Sequence, residues 1–209
     1  AEKNKLILKT GFNHRFHPAI MKAKFIVDSG QIGEIINIRC RYGHGGRPGM
    51  ENEWRCSKDL CGGGELLDQG IHLIDLTRWF LNNEIKEVFG QLYTSFWDIK
   101  VDDNAFFTLK SDNNIHAQCH ASWTNWKNIF SYEIFGKKGY ILINGKGGSY
   151  GIEQIVLYKM KKKMGKPNEK KWIYKNKDIS WKNEIREFYK DIIYNRNPKV
   201  NLIDAYQTL

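Results

Sequence analysis

IINIRCRY, residues 35–42, puts Ile36, Ile38, Cys40 and Tyr42 on one side of the chain and Asn37, Arg39 and Arg41 on the other. That period of two marks a strand buried on one face. IHAQCHASW, residues 115–123, repeats it with Ile115, Ala117, Cys119, Ala121 and Trp123 against His116, Gln118, His120 and Ser122, and FSYEIF, residues 130–135, alternates likewise. Polar turns, SDNN before Ile115 and GKKG (136–139) before YILIN, predict hairpins between consecutive strands. Strands are expected over 34–43, 85–96, 104–111, 115–124, 129–136, 140–144, 154–160 and 171–175, which makes a large, mainly antiparallel sheet.

Helical spacing surrounds that sheet in three places. AIMKAKFIVDSG follows His17-Pro18 and reaches Gly30, a residue suited to a C-cap. SWKNEIREFYKDIIYNRNP spaces Trp181, Ile185, Phe188 and Ile192 along one face, with Ser180 as N-cap and Pro198 as stop. The third segment is GGGELLDQGIHLIDLTRW, Gly62 to Trp79. Its apolar residues cover most of the helix, while Asp68, His72, Asp75 and Trp79 share one narrow stripe. KLILKTGFN reads as a lone buried strand, and LIDAYQTL as the beginning of a further helix. Both ends therefore read as cut from a longer protein.

The 209 residues are 41% hydrophobic and 27% charged, enough for a sizeable core. No apolar run approaches the ~18 residues of a membrane span, and the first ten lack a signal-peptide core. A cytoplasmic location is expected. Cys40, Cys56, Cys61 and Cys119 have no C-x-x-C spacing and read as reduced thiols. The net charge of +10 is local, because Lys159 to Lys177 holds nine lysines against Glu169. Such clustering reads as a solvated hairpin; the competing reading is a polyanion-binding module without catalysis.

Asp68 and His72 stand four apart, so on a regular helix the carboxylate can meet the imidazole and raise its basicity. The bland alternative is a solvent-facing ion pair. A metal-dependent hydrolase built on His72, Asp68 and Asp75 lacks a second ligand cluster, and His14-x-x-His17 is interrupted as a ligand pair by Pro18. No metal is assigned. The loops GHGGRPG and GKGGSYG spell no known phosphate motif.

GFNHRFHPA (11–19), GGGELLDQGIHLIDLTRWF (62–80), VDDNAFFTLK (101–110), HASWTNWKN (120–128) and SYEIFGKKGY (131–140) resemble, in order and spacing, the substrate domain of the glucose-fructose oxidoreductase, inositol dehydrogenase and MocA-type (Gfo/Idh/MocA) family. The resemblance implies an α+β fold, an open, mostly antiparallel sheet with helices on one face, and the absence from this chain of the family's nucleotide-binding Rossmann domain. Residues 1–12 would be the last strand of that domain and 13–209 the substrate and oligomerisation domain, truncated at its C-terminus. The implied activity is NAD- or NADP-dependent oxidation or reduction of a secondary alcohol or ketone on a sugar, nucleotide sugar or cyclitol, with this fragment alone inactive. By resemblance His72 takes the hydroxyl proton and Asp68 orients the substrate or His72. Asn13, Arg15, Trp123, Trp126 and Lys127 would contact substrate, and Gly63 and Gly64 would lie near the cofactor. A homodimer or homotetramer through the open sheet is expected, with neither membrane nor nucleic acid as partner. The family's glycine loop and E-K-P lysine have no counterpart here.

Overall fold

The structure, a computed structural model, describes residues 2–4 and 6–209. The alternating runs form β1 (Ile35–Gly43), β2 (Ile85–Tyr93), β3 (Asn104–Ser111), β4 (His116–Ser122), β5 (Ile129–Gly136), β6 (Gly139–Asn144), β7 (Glu153–Lys159) and β8 (Asn168–Tyr174). One open sheet holds them in the order β2-β3-β4-β1-β5-β6-β7-β8. The helices are α1 (Pro18–Asp28), α2 (Lys58–Cys61), α3 (Ile71–Leu81), α4 (Ser180–Ile193) and α5 (Leu202–Thr208). Among the described residues no helix is long and apolar enough to cross a membrane.

The hairpins predicted at SDNN and GKKG form, between β3 and β4 and between β5 and β6. The general expectation of hairpins fails at the centre. There β1 lies between β4 and β5, parallel to β4 with Cys40 opposite Cys119, and antiparallel to β5 with Cys40 opposite Tyr132. Stepping over one strand requires a span of about 10 Å, which the connection 123–128 covers easily. A register shift between Ile35 and Asn37 also turns Ile36 outward, so only Ile38, Cys40 and Tyr42 of its set reach the core.

That core lies on one face. Ile38, Cys40, Ala117, Cys119, Tyr132, Ile134, Ile141 and Ile143 meet Ile20, Ala23 and Ile26 of α1 and Leu73, Leu76 and Phe80 of α3. Each fully buried large side chain contributes about 1.5–3 kcal/mol. Gly30 adopts φ +69° just past α1, the left-handed cap its sequence position predicts. The opposite face carries ion pairs, Arg39–Glu133 at 2.7 Å and Lys110–Glu87 at 2.8 Å, and a ring stack of Phe106 on His120 at 3.8 Å. Lys170 and Lys171 sit on the edge strand β8, where charge discourages strand-to-strand aggregation.

Three expectations at the ends are corrected. Residues 6–12 form no strand, and Leu6 and Leu8 are exposed; Thr10 N–H donates to Val200 O rather than to a sheet edge. Lys5 and Ala1 of that segment lie outside the described residues. Ile179, not Ser180, is the N-cap of α4; Asp178 Oδ1 accepts from Ser180 N–H at 2.8 Å, while the Ser180 hydroxyl accepts from Asn13 Nδ2 at 3.0 Å. The helix stops at Ile193, ahead of Pro198, with Asn195 in the left-handed region at φ +47°. Its apolar stripe faces outward: Trp181, Ile185 and Ile192 are exposed, whereas Glu184 and Asp191 are buried. The terminal helix expected at LIDAYQTL exists as α5, closed at its start by an Asn201–Asp204 capping box.

Candidate functional site

The glycines of GGGELLDQG enter a turn that is held from outside by Asp102, just before β3. Its carboxylate accepts from Gly64 N–H at 3.1 Å and Leu66 N–H at 2.8 Å, and its backbone oxygen from Glu65 N–H at 2.9 Å. A Cβ on Gly64 would lie 2.1 Å from Asp102 O, so glycine there is required by the protein's own backbone. Of the two glycines expected to lie near a cofactor, Gly64 therefore has its N–H engaged within the chain. Gly63 and Gly64 border a cavity of about 260 Å³ together with Leu66, Leu67, Ile71 and Ile74.

From Leu66 to Gly70 the chain makes a π-helical turn before α3 begins. Bonds in such a turn run from i to i+5, so residues four apart no longer stack as they do on an α-helix. This corrects the expected Asp68–His72 pair: among the described residues no hydrogen bond or ion pair joins them. Asp68 instead approaches Arg55, Oδ1 to Nε 3.6 Å, on the wall of a cavity of about 330 Å³ that His44, Arg47, Gln69, Trp123 and Tyr150 also line. Asp75, from the same stripe, is fully buried and accepts two hydrogen bonds from Arg15, the Nε–Oδ2 distance being 2.9 Å.

His72 belongs to a second group. Its ring stacks on His14 with centroids 4.0 Å apart and meets Phe12 edge-on at 5.9 Å. Its Nδ1 is buried without a partner. Burial first, then the nearby Lys146 and His17, push its pKa down to about 3. His14 is likewise held well below the usual histidine range by burial and by His72 and Lys146. A neutral His14 donates from Nδ1 to Asn13 Oδ1 at 3.1 Å and accepts at Nε2 from the Lys146 ammonium at 3.2 Å. His17 is tied to Glu153, Nδ1 to Oε2 3.2 Å, rather than open to a metal.

The remaining predicted residues divide. Asn13 supports His14 and α4, Arg15 is locked to Asp75, and Trp123 lies buried on the cavity wall beside Asp68. Trp126, at φ +45°, is exposed with its ring edge-on to Phe96, and Lys127 is also at the surface. Neither joins the His72 group. Two features escaped sequence reasoning. Glu65 is fully buried with both carboxylate oxygens unpartnered, and burial with Asp68 and Asp102 nearby raises its pKa well above the carboxylate range. Lys146 and Tyr150 come from GKGGSYG, whose only signal was a lysine and a tyrosine enclosed by glycines.

Residues 20–142 match the family model described as GFO/IDH/MocA C-terminal domain. The chain belongs to this family. The uncharacterized oxidoreductase YrbE of Bacillus subtilis (strain 168) is 31% identical over 147 residues, covering 66% of this chain and 40% of its own length. The scyllo-inositol 2-dehydrogenase (NAD(+)) of the same organism is 30% identical over 163 residues, covering 70% of this chain and 46% of its own length. A solved structure of levoglucosan dehydrogenase in complex with NADH and levoglucosan shares the fold with a TM-score of 0.84 at 20% identity, over 98% of this chain and 62% of that one. The Gfo/Idh/MocA chain described here thus spans less than half the length of these two curated relatives.

Proposed function

We propose that this chain forms the substrate-facing part of an NAD(P)-dependent oxidoreductase that interconverts a secondary hydroxyl and a ketone on a sugar, nucleotide sugar or cyclitol. The observation that carries the reading is His72: an imidazole kept neutral, its Nδ1 without a hydrogen-bond partner among the described residues, stacked on His14 at 4.0 Å. Relatives named as inositol and levoglucosan dehydrogenases support the substrate class.

His72 accepts the proton that the hydroxyl loses as its carbon becomes a carbonyl, and returns it in the reverse direction. A pKa near 3 keeps the ring in its acceptor form across physiological pH. A negative charge growing on the substrate oxygen favours the imidazolium and so raises the ring's basicity when it is needed. Asp68, turned toward the cavity and away from any pairing with His72, accepts from a substrate hydroxyl. Hydride exchange falls to a nicotinamide held mainly by a nucleotide-binding domain outside this chain, the Gly64 N–H being engaged by Asp102.

The free thiols of Cys40, Cys56, Cys61 and Cys119 suit a reducing cytoplasm. The uncovered sheet face, with Phe89, Tyr93 and Phe106 exposed, would pair two copies. The test of the activity is formation of reduced nicotinamide from a panel of sugars, cyclitols and nucleotide sugars by the protein carrying this chain together with a nucleotide-binding domain. Turnover should fall by about 10²–10⁴ in His72→Ala. Turnover insensitive to that change would reject His72, and no turnover on any member would reject the reading.

A further inference from the structure

Lys146 lies in the connection between β6 and β7, where Gly145 N–H donates to Phe130 O and Gly147 N–H to Gly151 O, both at 2.9 Å. These bonds fold the loop back over the sheet and aim the lysine inward. Its ammonium donates to His14 Nε2 at 3.2 Å and to the Tyr42 hydroxyl, and it lies 4.4 Å and 4.5 Å from the ring centroids of Tyr42 and Tyr150. Among the described residues no carboxylate comes within 4 Å of it; Asp178 and Asp68 act only at longer range. An ammonium has three donors, and two are engaged.

Among the described residues of the site, this lysine is the cation with no carboxylate within 4 Å. Arg55 is beside Asp68 at 3.6 Å and Arg47 beside Glu53 at 2.6 Å. His14 and His72 are neutral, and His17 faces Glu153. Burial lowers Lys146 to about 8, which still leaves it charged at neutral pH. Tyrosine faces offset part of the cost of burying a cation, but a partly desolvated lysine without a carboxylate is an arrangement that an incoming anion completes. His14 accepts from that ammonium at Nε2 and stacks on His72, so the lysine belongs to the same cluster.

We propose that Lys146 recognises an anionic group on the substrate, so that the sugar or cyclitol handled at His72 bears a carboxylate or a phosphate. This rests on the oxidoreductase reading for the role of His72, but its test reads binding and not turnover. Affinities of the full chain for D-glucose, D-gluconate and D-glucose 6-phosphate are to be measured by NMR titration, alongside Lys146→Gln and Lys146→Arg. At least one anion should bind roughly tenfold or more tightly than glucose. The preference should vanish in Lys146→Gln and persist in Lys146→Arg, and which anion wins separates carboxylate from phosphate. Equal affinities, no anion binding, or a preference that survives in a folded Lys146→Gln would overturn the proposal. Failure of the oxidoreductase reading would look different: anion binding through Lys146 with no hydride transfer.

Discussion

His14 and His72 are stacked, buried and neutral, and their protonation is linked to folding. An imidazole depressed to about 3 in the folded state and titrating near 6.5 when unfolded contributes stability fully present above pH 6.5 and lost as pH falls toward 3. Phe12, His17, Tyr42 and Lys146 are the groups around the pair, and none of them supplies a negative charge at neutral pH to offset the loss. Asp75, raised to about 6 by burial against the pull of Arg15, has the opposite sign: its contribution is lost as pH rises from 3.8 through 6. The comparison that isolates the imidazole is wild type against His72→Phe. Urea midpoints should fall more steeply from pH 7 to pH 4.5 in the wild type, and parallel curves would contradict the assignment. His72 itself stands out in the sequence as a polar residue on an apolar helix. Lys146 does not stand out, because it approaches the pair through His14 Nε2 from a loop 74 residues after His72.

The π-helical turn Leu66–Gly70 is the element that shapes the site, and it explains why helical periodicity misplaced Asp68. A 3.6-residue repeat assigns residues four apart to one face, but the turn widens that repeat just where Asp68 and His72 would have met. Nothing in the spacing of GGGELLDQG signals this, since the restraint comes from Asp102, far along the chain. Asp102→Ala removes the acceptor for two N–H groups at the turn and should destabilise the fold by about 1–2 kcal/mol, read from urea denaturation. A change within error would mean that the turn holds itself. α4 teaches a related lesson. Its amphipathic stripe is plain in the sequence, yet the polar side is the one packed against residues 13–16, so pattern alone does not say which side a helix buries.

Across the whole molecule, all eight expected strand ranges contain strands; alternation was explicit in β1, β4 and β5, where burial on one face imposes a period of two, whereas β2 is exposed along nearly its whole length. The insertion of β1 between β4 and β5 was not legible, since strand order depends on connections that can step over a neighbour. The sheet's uncovered face presents Phe106 stacked on His120 with Tyr93 at 6.1 Å, apolar surface of the kind that pairs copies. The 24.5 kDa chain should sediment as a dimer or tetramer, and Phe106→Asp as a smaller species. A wild type that stays monomeric at high concentration would remove the sheet face as an interface. The central claim concerns the proton, and imidazole rescue of His72→Ala tests it most directly. With the chain joined to a nucleotide-binding domain and turning over its sugar substrate, added imidazole should restore turnover to the inactive variant in a concentration-dependent way, with no effect on the wild type. An inactive variant that imidazole does not revive, or a variant that never lost turnover, would contradict His72 as the proton acceptor.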